Sequence, residues 1–361
     1  MKDVPGKIPF APIVLLFKMV YKNGGVSFGR IPMLLIYVFR YVLLEPFRLA
    51  EIILYHKKIE SHVLSEPPIF ILGHWRSGTS FFQSLICQDT RMTSSTIFRS
   101  LFPDNFYLTE SWLKPILTSI CKFFNVPYSI QRVPMDLDLP AEVDMTLCSL
   151  CSERSYTWGQ LFPRRFEKWV DELLILKNKN TADEWLHDYD YFIRKLSYRS
   201  KGKRVVVKSP GDTARIGHLL RHYPKASFIY IHRDPFSVFH SNLYFWRILQ
   251  QQNSLQTISN TEVQDLIVNS YRKIMRSYLN QRDLVPISQL IELRFEEIIK
   301  DPLKELSRTY SALNIGTMPE KEITALLLKH QSQKYASYSI TAELRDRLNR
   351  EWDFVFEEWP A

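Results

Sequence analysis

A glycine-spaced loop is the first segment of this sequence able to do chemistry. Residues 73–80, GHWRSGTS, keep the glycine spacing of the Walker A phosphate loop, but Thr79 stands where that motif has its lysine. Backbone N–H groups between a strand and a helix, helped by the Thr79 and Ser80 hydroxyls, can still hold a phosphate. Without the lysine, the loop lacks the charge that reaches a β- or γ-phosphate. A nucleoside triphosphate is therefore expected to bind poorly. The loop predicts a donor with one 5′-phosphate and a different leaving group, whose charge Arg76 would neutralise.

A second anion site is predicted about 160 residues later in the chain. Arg233 follows an apolar run, Asp234 is placed to cap a helix, and Pro235 suits its first position. Ser241 lies seven residues beyond the cap, which is nearly two helical turns, and so returns to the same helix face. Arg233 and Ser241 can therefore share one anion.

A third cation ends another predicted strand, in Lys208-Ser209-Pro210. In open α/β sheets ligands collect beyond the carboxyl ends of the strands. Arg76, Lys208 and Arg233 would then converge at one edge of the sheet, where three cations require an anion.

Together these motifs resemble those of sulfotransferases that use 3′-phosphoadenosine 5′-phosphosulfate (PAPS). That family has a basic residue, Ser, Gly and Thr in its 5′-phosphosulfate loop, here Arg76, Ser77, Gly78 and Thr79. An arginine and a serine eight residues later bind its 3′-phosphate. The resemblance implies PAPS as co-substrate, adenosine 3′,5′-bisphosphate as product, an acceptor hydroxyl and no metal. Lys208 with Pro210 resembles the Lys-x-Pro element of tyrosylprotein and related sulfotransferases, in which the lysine assists transfer to the acceptor.

The general base is harder to assign, because Pro210 stands where the cytosolic small-molecule enzymes have a catalytic histidine. Residues 132–147 and Phe162-Pro163 resemble a bacterial subset with Pro-x-Glu-Asp-Glu, here Pro140 to Asp144 with a valine in the middle. Acids two positions apart on a helix point about 200° away from each other, so one at most is functional. Glu142 is predicted as the base, and His74 in the phosphate loop is the alternative.

Two further residues enter through the resemblance. The segment from Arg294 to Glu297, with Asp301-Pro302 after it, is similar to a family motif whose aromatic residue lies near the adenine. Phe295 would stack there or pack in the core. Lys334 is a candidate contact to the donor.

The elements that must position these residues predict a parallel sheet. Strands are expected at residues 69–72, 204–208, 227–232 and 289–293, each followed by a helical pattern. The fold class is thus α/β, a P-loop-NTPase-like parallel sheet flanked by helices, with a helical insert over about 90–200. Residues 1–62 form a helical extension before a catalytic domain over 63–361.

Composition points to an anionic partner, because the 361-residue chain has a net charge of +9. The motifs select a nucleotide co-substrate, and no nucleic acid is expected. Four cysteines and the absence of an Asn-x-Ser/Thr sequon favour a reducing compartment, hence a cytoplasmic protein. The apolar runs at 8–17 and 31–47 are interrupted by prolines or charges, which favours helices lying on a membrane surface or packed on the core.

The acceptor is predicted to be a lipophilic alcohol, such as a sterol or lipid, met at the inner face of a membrane. An aromatic wall before the acidic motif supports this, although such residues also build cores; it comprises Phe98, Phe102, Phe106, Tyr107, Trp112, Phe123, Phe124 and Tyr128. Two other functions compete: a P-loop kinase, and a membrane-associated scaffold with a degenerate nucleotide fold. Neither the acceptor's identity nor the oligomeric state follows from the sequence.

Overall fold

The computed structural model describes residues 9–128, 133–150, 152–330 and 341–360. The chain divides into two compact units. The helical unit comprises residues 1–64, 95–202 and 245–259, and the sheet unit comprises residues 65–94, 203–244 and 260–361. The expected division into a 1–62 extension and a 63–361 domain stays a prediction.

The strands form a central sheet and a small hairpin. They are β1 (Ile69–Leu72), β2 (Met92–Thr93), β3 (Pro127–Tyr128), β4 (Val133–Pro134), β5 (Arg204–Lys208), β6 (Ser227–His232) and β7 (Leu290–Arg294). The sheet has the order β2-β5-β1-β6-β7 and every pair in it is parallel, whereas β3 and β4 pair antiparallel.

The helices follow the strands and fill the segments between them. They are α1 (Ala11–Lys22), α2 (Ile31–Glu60), α3 (Thr79–Ile86), α4 (Ile97–Leu101), α5 (Phe106–Phe123), α6 (Val143–Ser149), α7 (Thr157–Leu161), α8 (Phe166–Trp169), α9 (Lys179–Arg199), α10 (Ile216–His222), α11 (Pro235–Gln252), α12 (Asn260–Leu279), α13 (Phe295–Lys300), α14 (Pro302–Ala312), α15 (Glu320–His330), α16 (Ala342–Glu351) and α17 (Asp353–Glu358). No helix within the described ranges is long and apolar enough to cross a membrane.

The predicted fold class is confirmed. Three expected strands have the observed bounds, and the fourth is shifted by one residue to 290–294. The two-residue β2 is too short to give a sequence pattern. Continuous apolar strands form because both faces of a parallel sheet are covered by helices.

The core of the sheet unit explains how the strands are held. Ile69, Ile71, Ile229 and Leu293 on the sheet are at most 1% exposed. They pack in one cluster with side chains of helices α3, α13, α14 and α15, including Phe82, Leu85, Ile298, Leu306 and Ile323. This packing fixes the carboxyl ends of β1, β5 and β6, where the predicted cations lie.

Candidate active site

The loop between β1 and α3 has the backbone of a phosphate-binding turn. Gly73, Arg76 and Gly78 have φ of +141°, +73° and +98°, so three residues of a short loop are in the left-handed region. A Cβ on Gly78 would lie 2.1 Å from the Phe295 ring, and one on Gly73 would lie 2.5 Å from the Ile231 carbonyl oxygen. Both positions therefore require glycine.

Hydrogen bonds hold this loop in place from two directions. The Gly73 N–H donates to Thr213 Oγ1 at 2.8 Å, and Asn242 Nδ2 donates to the Trp75 carbonyl at 3.0 Å. Within the loop, the Ser77 hydroxyl donates to the His74 carbonyl at 2.8 Å. Thr213 and Asn242 are fully buried, and sequence reasoning missed both. Asn242 directly follows Ser241, and a polar residue on an otherwise buried helix face was the available signal.

The first and second predicted motifs are in direct contact. Arg76 Nε donates to Ser241 Oγ at 2.8 Å, and Arg233 Nη1 donates to the Arg76 carbonyl at 3.1 Å. The Arg233 guanidinium also lies 4.7 Å from the centre of the Phe295 ring. Four residues separated by up to 219 positions in the chain, from 76 to 295, therefore form one cluster.

The helix that carries Ser241 begins as the sequence predicts. The Ser237 N–H donates to Asp234 Oδ2 at 2.7 Å, which is an N-cap bond, and Pro235 is the first residue of α11. Asp234 is fixed in turn, because its N–H donates to Glu296 Oε1 at 3.2 Å. Asp234 and Glu296 therefore fix the backbone next to Arg233, which is the first residue after β6.

Lys208 completes the same edge of the sheet. It is the last residue of β5, is paired in register with Ile71 of β1, and is 2% exposed. Because β5, β1 and β6 are neighbours in the sheet, the ends of all three motif-bearing strands lie side by side. The arrangement matches the place where open α/β sheets bind anionic ligands.

His74 is enclosed by aromatic rings. It is 3% exposed, and its ring lies 5.0 Å from that of Trp75 and 4.8 Å from that of Tyr271. Burial lowers its pKa to about 3, while a hydrogen bond to the Trp75 carbonyl partly opposes the shift. The imidazole is therefore neutral near pH 7. A group with so low a pKa is a weak general base.

A sequence model of the sulfotransferase family matches residues 67–319. The chain belongs to the sulfotransferase family. The match spans the phosphate loop, Lys208, Arg233, Ser241 and Phe295. It confirms the predicted enzyme class, and it removes the kinase alternative.

Two curated relatives carry the same name, omega-hydroxy-beta-dihydromenaquinone-9 sulfotransferase Stf3, and come from Mycobacterium bovis and Mycobacterium tuberculosis. Each is 28% identical over 312 residues, which cover 85% of this chain and 78% of the relative.

Two solved structures have the same fold. Sulfotransferase STF9 from Mycobacterium avium superposes with a TM-score of 0.70 at 18% identity and covers 88% of this chain and 82% of its own. Sulfotransferase STF1 from Mycobacterium tuberculosis gives 0.66 at 14% identity, with coverage of 94% and 90%.

Glu142, predicted as the base of this sulfotransferase, belongs to the helical unit. It is the N-cap residue of α6 and is partly exposed, and its Oε2 lies 3.5 Å from the Tyr156 hydroxyl. Asp144, in the first turn of α6, is completely buried. Its main-chain carbonyl accepts a hydrogen bond of 2.6 Å from the Ser155 hydroxyl. The two acids thus differ in burial, and Glu142 is the more exposed residue.

The predicted aromatic wall divides into buried and exposed residues. Phe98, Phe102 and Phe106 are at most 8% exposed and belong to the core, whereas Trp112, Phe123 and Phe124 are 41%, 81% and 68% exposed. Tyr107 is partly exposed, and Tyr128 is described by its backbone alone. Lys334 lies outside the described residues. In the described part of the chain no group of three or more His, Cys, Asp or Glu is placed to hold a metal.

Proposed function

We propose that this sulfotransferase transfers a sulfuryl group from PAPS to the hydroxyl of a lipophilic alcohol and releases adenosine 3′,5′-bisphosphate. The observation that carries the proposal is the 2.8 Å bond from Arg76 to Ser241. It joins the loop suited to a 5′-phosphosulfate to the helix face suited to a 3′-phosphate. A donor with anions at both ends of one nucleoside fits that pair.

The donor contacts follow from the cluster. The loop N–H groups with Thr79 and Ser80 bind the 5′-phosphate, at the start of α3. Arg233 and Ser241 bind the 3′-phosphate through charge-assisted hydrogen bonds. Phe295 is 5% exposed and packs against Gly78 and Arg233, so it acts on the donor mainly by holding the arginine in place.

The transfer itself needs a base and a stabilised leaving group. Glu142 accepts the acceptor's hydroxyl proton while the hydroxyl oxygen forms a bond to sulfur. The bond between sulfur and the bridging phosphate oxygen breaks, and Arg76 and Lys208 stabilise the charge that develops on that oxygen. The proton ends on Glu142, the sulfuryl group on the acceptor, and the electron pair on the departing phosphate. The proposed reaction requires no metal.

The lipophilic acceptor is supported by the curated relatives, which are named for a hydroxylated menaquinone derivative. The similarity extends over 85% of this chain and so includes most of the helical unit. We place the reaction at the cytoplasmic face of a membrane, where a cytosolic donor can meet a lipid hydroxyl.

Calorimetry and a turnover assay test the proposal together. Adenosine 3′,5′-bisphosphate should bind at least about tenfold more tightly than ATP, because the cluster offers a 3′-phosphate partner and lacks the Walker lysine. With labelled PAPS, a long-chain or isoprenoid alcohol should be sulfated in preference to a tyrosine peptide or a sugar. Tighter binding of ATP would overturn the donor assignment, and efficient turnover of a polar acceptor alone would overturn the acceptor class.

A further inference from the structure

Over residues 31–54, helix α2 has its polarity reversed with respect to an ordinary surface helix. Its charged residues Glu45, Arg48 and Glu51 are 4%, 2% and 2% exposed. Its large apolar residues face solvent instead: Leu35, Ile36, Phe39, Val42, Leu43, Ile53 and Leu54 are between 50% and 82% exposed. A soluble helix normally turns its charges outward and its apolar stripe inward.

The inward charges all have partners within the helical unit. Arg48 forms two bonds of 2.7 Å with Glu45, and Lys195 of α9 pairs with Glu51. Arg40 turns its guanidinium to the Leu101 carbonyl, so it does not interrupt the exposed apolar stripe. The outer face of α2 from residue 31 to 54 therefore presents apolar side chains free of exposed charge.

Two other helices of the same unit extend this surface. On α1 and just before it, Phe10, Val14, Phe17 and Tyr21 recur at helical spacing and are 46% to 90% exposed. On α5 and just after it, the exposed stripe is Trp112, Ile116, Ile120, Phe123 and Phe124. The stripes of α2 and α5 meet, because Phe47, four residues after Leu43, lies 5.4 Å from Trp112 between ring centres. The contiguous exposed apolar area of α2 and α5 is of the kind that marks an interaction site.

The charge pattern around the stripes selects the partner. No Asp or Glu occurs from Val4 to Leu44, a segment with five lysines and arginines, and none occurs from residue 111 to 135, which carries three. Lys18 and Lys22 share the single carboxylate of Glu153, so the pair keeps a net positive charge. A surface of aromatic and aliphatic side chains edged by cations is complementary to an anionic lipid leaflet.

We propose that the outer faces of α1, α2 and α5, called here the apolar surface, dock into the headgroup region of an anionic bilayer. The inference rests on the proposed lipophilic acceptor and adds the residues that would meet the membrane. A second copy of the chain is a poorer occupant, because a two-fold interface would place the same cation-edged, acid-free surfaces against each other.

Vesicle co-sedimentation of the full chain tests this with phosphatidylcholine vesicles and with vesicles containing about a third phosphatidylglycerol. The double variants Phe39→Glu with Leu43→Glu, and Ile116→Glu with Phe123→Glu, change exposed residues and should spare folding. Each should weaken binding to the anionic vesicles at least about tenfold, because apolar burial is lost and negative charge is added. The control is the double variant Leu284→Glu with Ile287→Glu. These two residues lie in the sheet unit and are 59% and 95% exposed, so this variant should bind the vesicles as wild type does.

Light scattering without lipid measures the oligomeric state and so tests the alternative that a second copy of the chain covers the apolar surface. Full vesicle binding by both surface variants would overturn the proposal, as would conversion of a wild-type dimer to monomer with vesicle binding unaltered. Adenosine 3′,5′-bisphosphate affinity should stay the same in every variant. Vesicle binding without sulfation of any lipid alcohol would leave the docking surface intact and remove the proposed acceptor, so the two failures are distinguishable.

Discussion

Two regions of this sulfotransferase, the sheet edge around Arg76 and Arg233 and the inner face of α2, use charged side chains in opposite ways. In the sheet unit Arg76 and Arg233 are partly exposed at the ends of strands, with Ser241 beside them. In the helical unit Glu45, Arg48, Glu51 and Lys195 neutralise one another in the interior. Cations at a sheet edge are available to a ligand, whereas paired charges inside a helical layer allow apolar side chains to face outward. A residue's type therefore identifies a function only together with the element that carries it.

The buried pairing in the helical unit gives the largest expected effect. Glu51→Gln should lower the free energy of unfolding by about 3–5 kcal/mol, because it leaves the Lys195 ammonium buried without its carboxylate. Glu153→Gln is the matched control: its partners Lys18 and Lys22 are 53% and 50% exposed, so the loss should stay below about 1 kcal/mol. Urea denaturation measures both. Equal losses would show that burial does not distinguish the two networks.

Glu142 tests whether the helical unit also supplies chemistry. Glu142→Gln should lower kcat at least about a hundredfold with donor affinity unchanged, because the amide keeps the shape and removes the basicity. Asp138→Asn, at a side chain 63% exposed, should behave as wild type. Steady-state rates over a range of pH provide the measurement. An active Glu142→Gln beside an inactive Asp144→Asn or His74→Ala would move the base elsewhere.

The contrast between the units also explains what the sequence could predict. The sheet-unit contacts depend on short motifs after apolar strands, so Arg76, Arg233 and Ser241 can be grouped from the sequence alone. The inverted α2 could not be predicted, because its 3.6-residue periodicity is the same whichever face is buried. The partner that decides the orientation is Lys195, which is 144 residues away from Glu51 and carries no local signal. A sequence pattern also does not show whether an aromatic side chain lines a pocket or packs in the core. For this reason Phe98 and Phe106 were predicted in a pocket wall, whereas they belong to the core.

The buried histidine of the sheet unit predicts a pH effect. The pKa of His74 is lowered to about 3 in the folded protein, against about 6.5 unfolded, so its contribution to stability is present above pH 6.5 and is lost as pH falls toward 3. Between pH 7 and pH 5 that loss is about 2 kcal/mol. His74→Gln should therefore lose about 2 kcal/mol less than wild type over this interval.

Comparison with a control variant isolates His74 from other titrating groups. Burial raises the pKa of Asp104 in the helical unit to about 6, so its contribution is present below about pH 4 and is lost as pH rises through 6, opposite in sign. His222→Gln, the same substitution at an exposed site, serves as the control variant. Chemical denaturation at both pH values gives the difference. An unchanged slope in His74→Gln would contradict the assignment.

The smallest effect expected, and the most selective, concerns the 3′-phosphate. Arg233→Ala should weaken adenosine 3′,5′-bisphosphate about tenfold and leave adenosine 5′-phosphate nearly unchanged, because the lost charge-assisted bond is made only to the 3′-phosphate. Ser241→Ala should do the same, with a small loss for both nucleotides in addition, since its hydroxyl accepts the bond from Arg76 on the 5′ side. Arg221→Ala, at an exposed arginine of helix α10, controls for general charge and should change neither affinity. Isothermal titration of the four proteins with both nucleotides decides the matter. An equal loss for the two nucleotides in Arg233→Ala would mean that this arginine orders the loop through the Arg76 carbonyl and does not bind the 3′-phosphate.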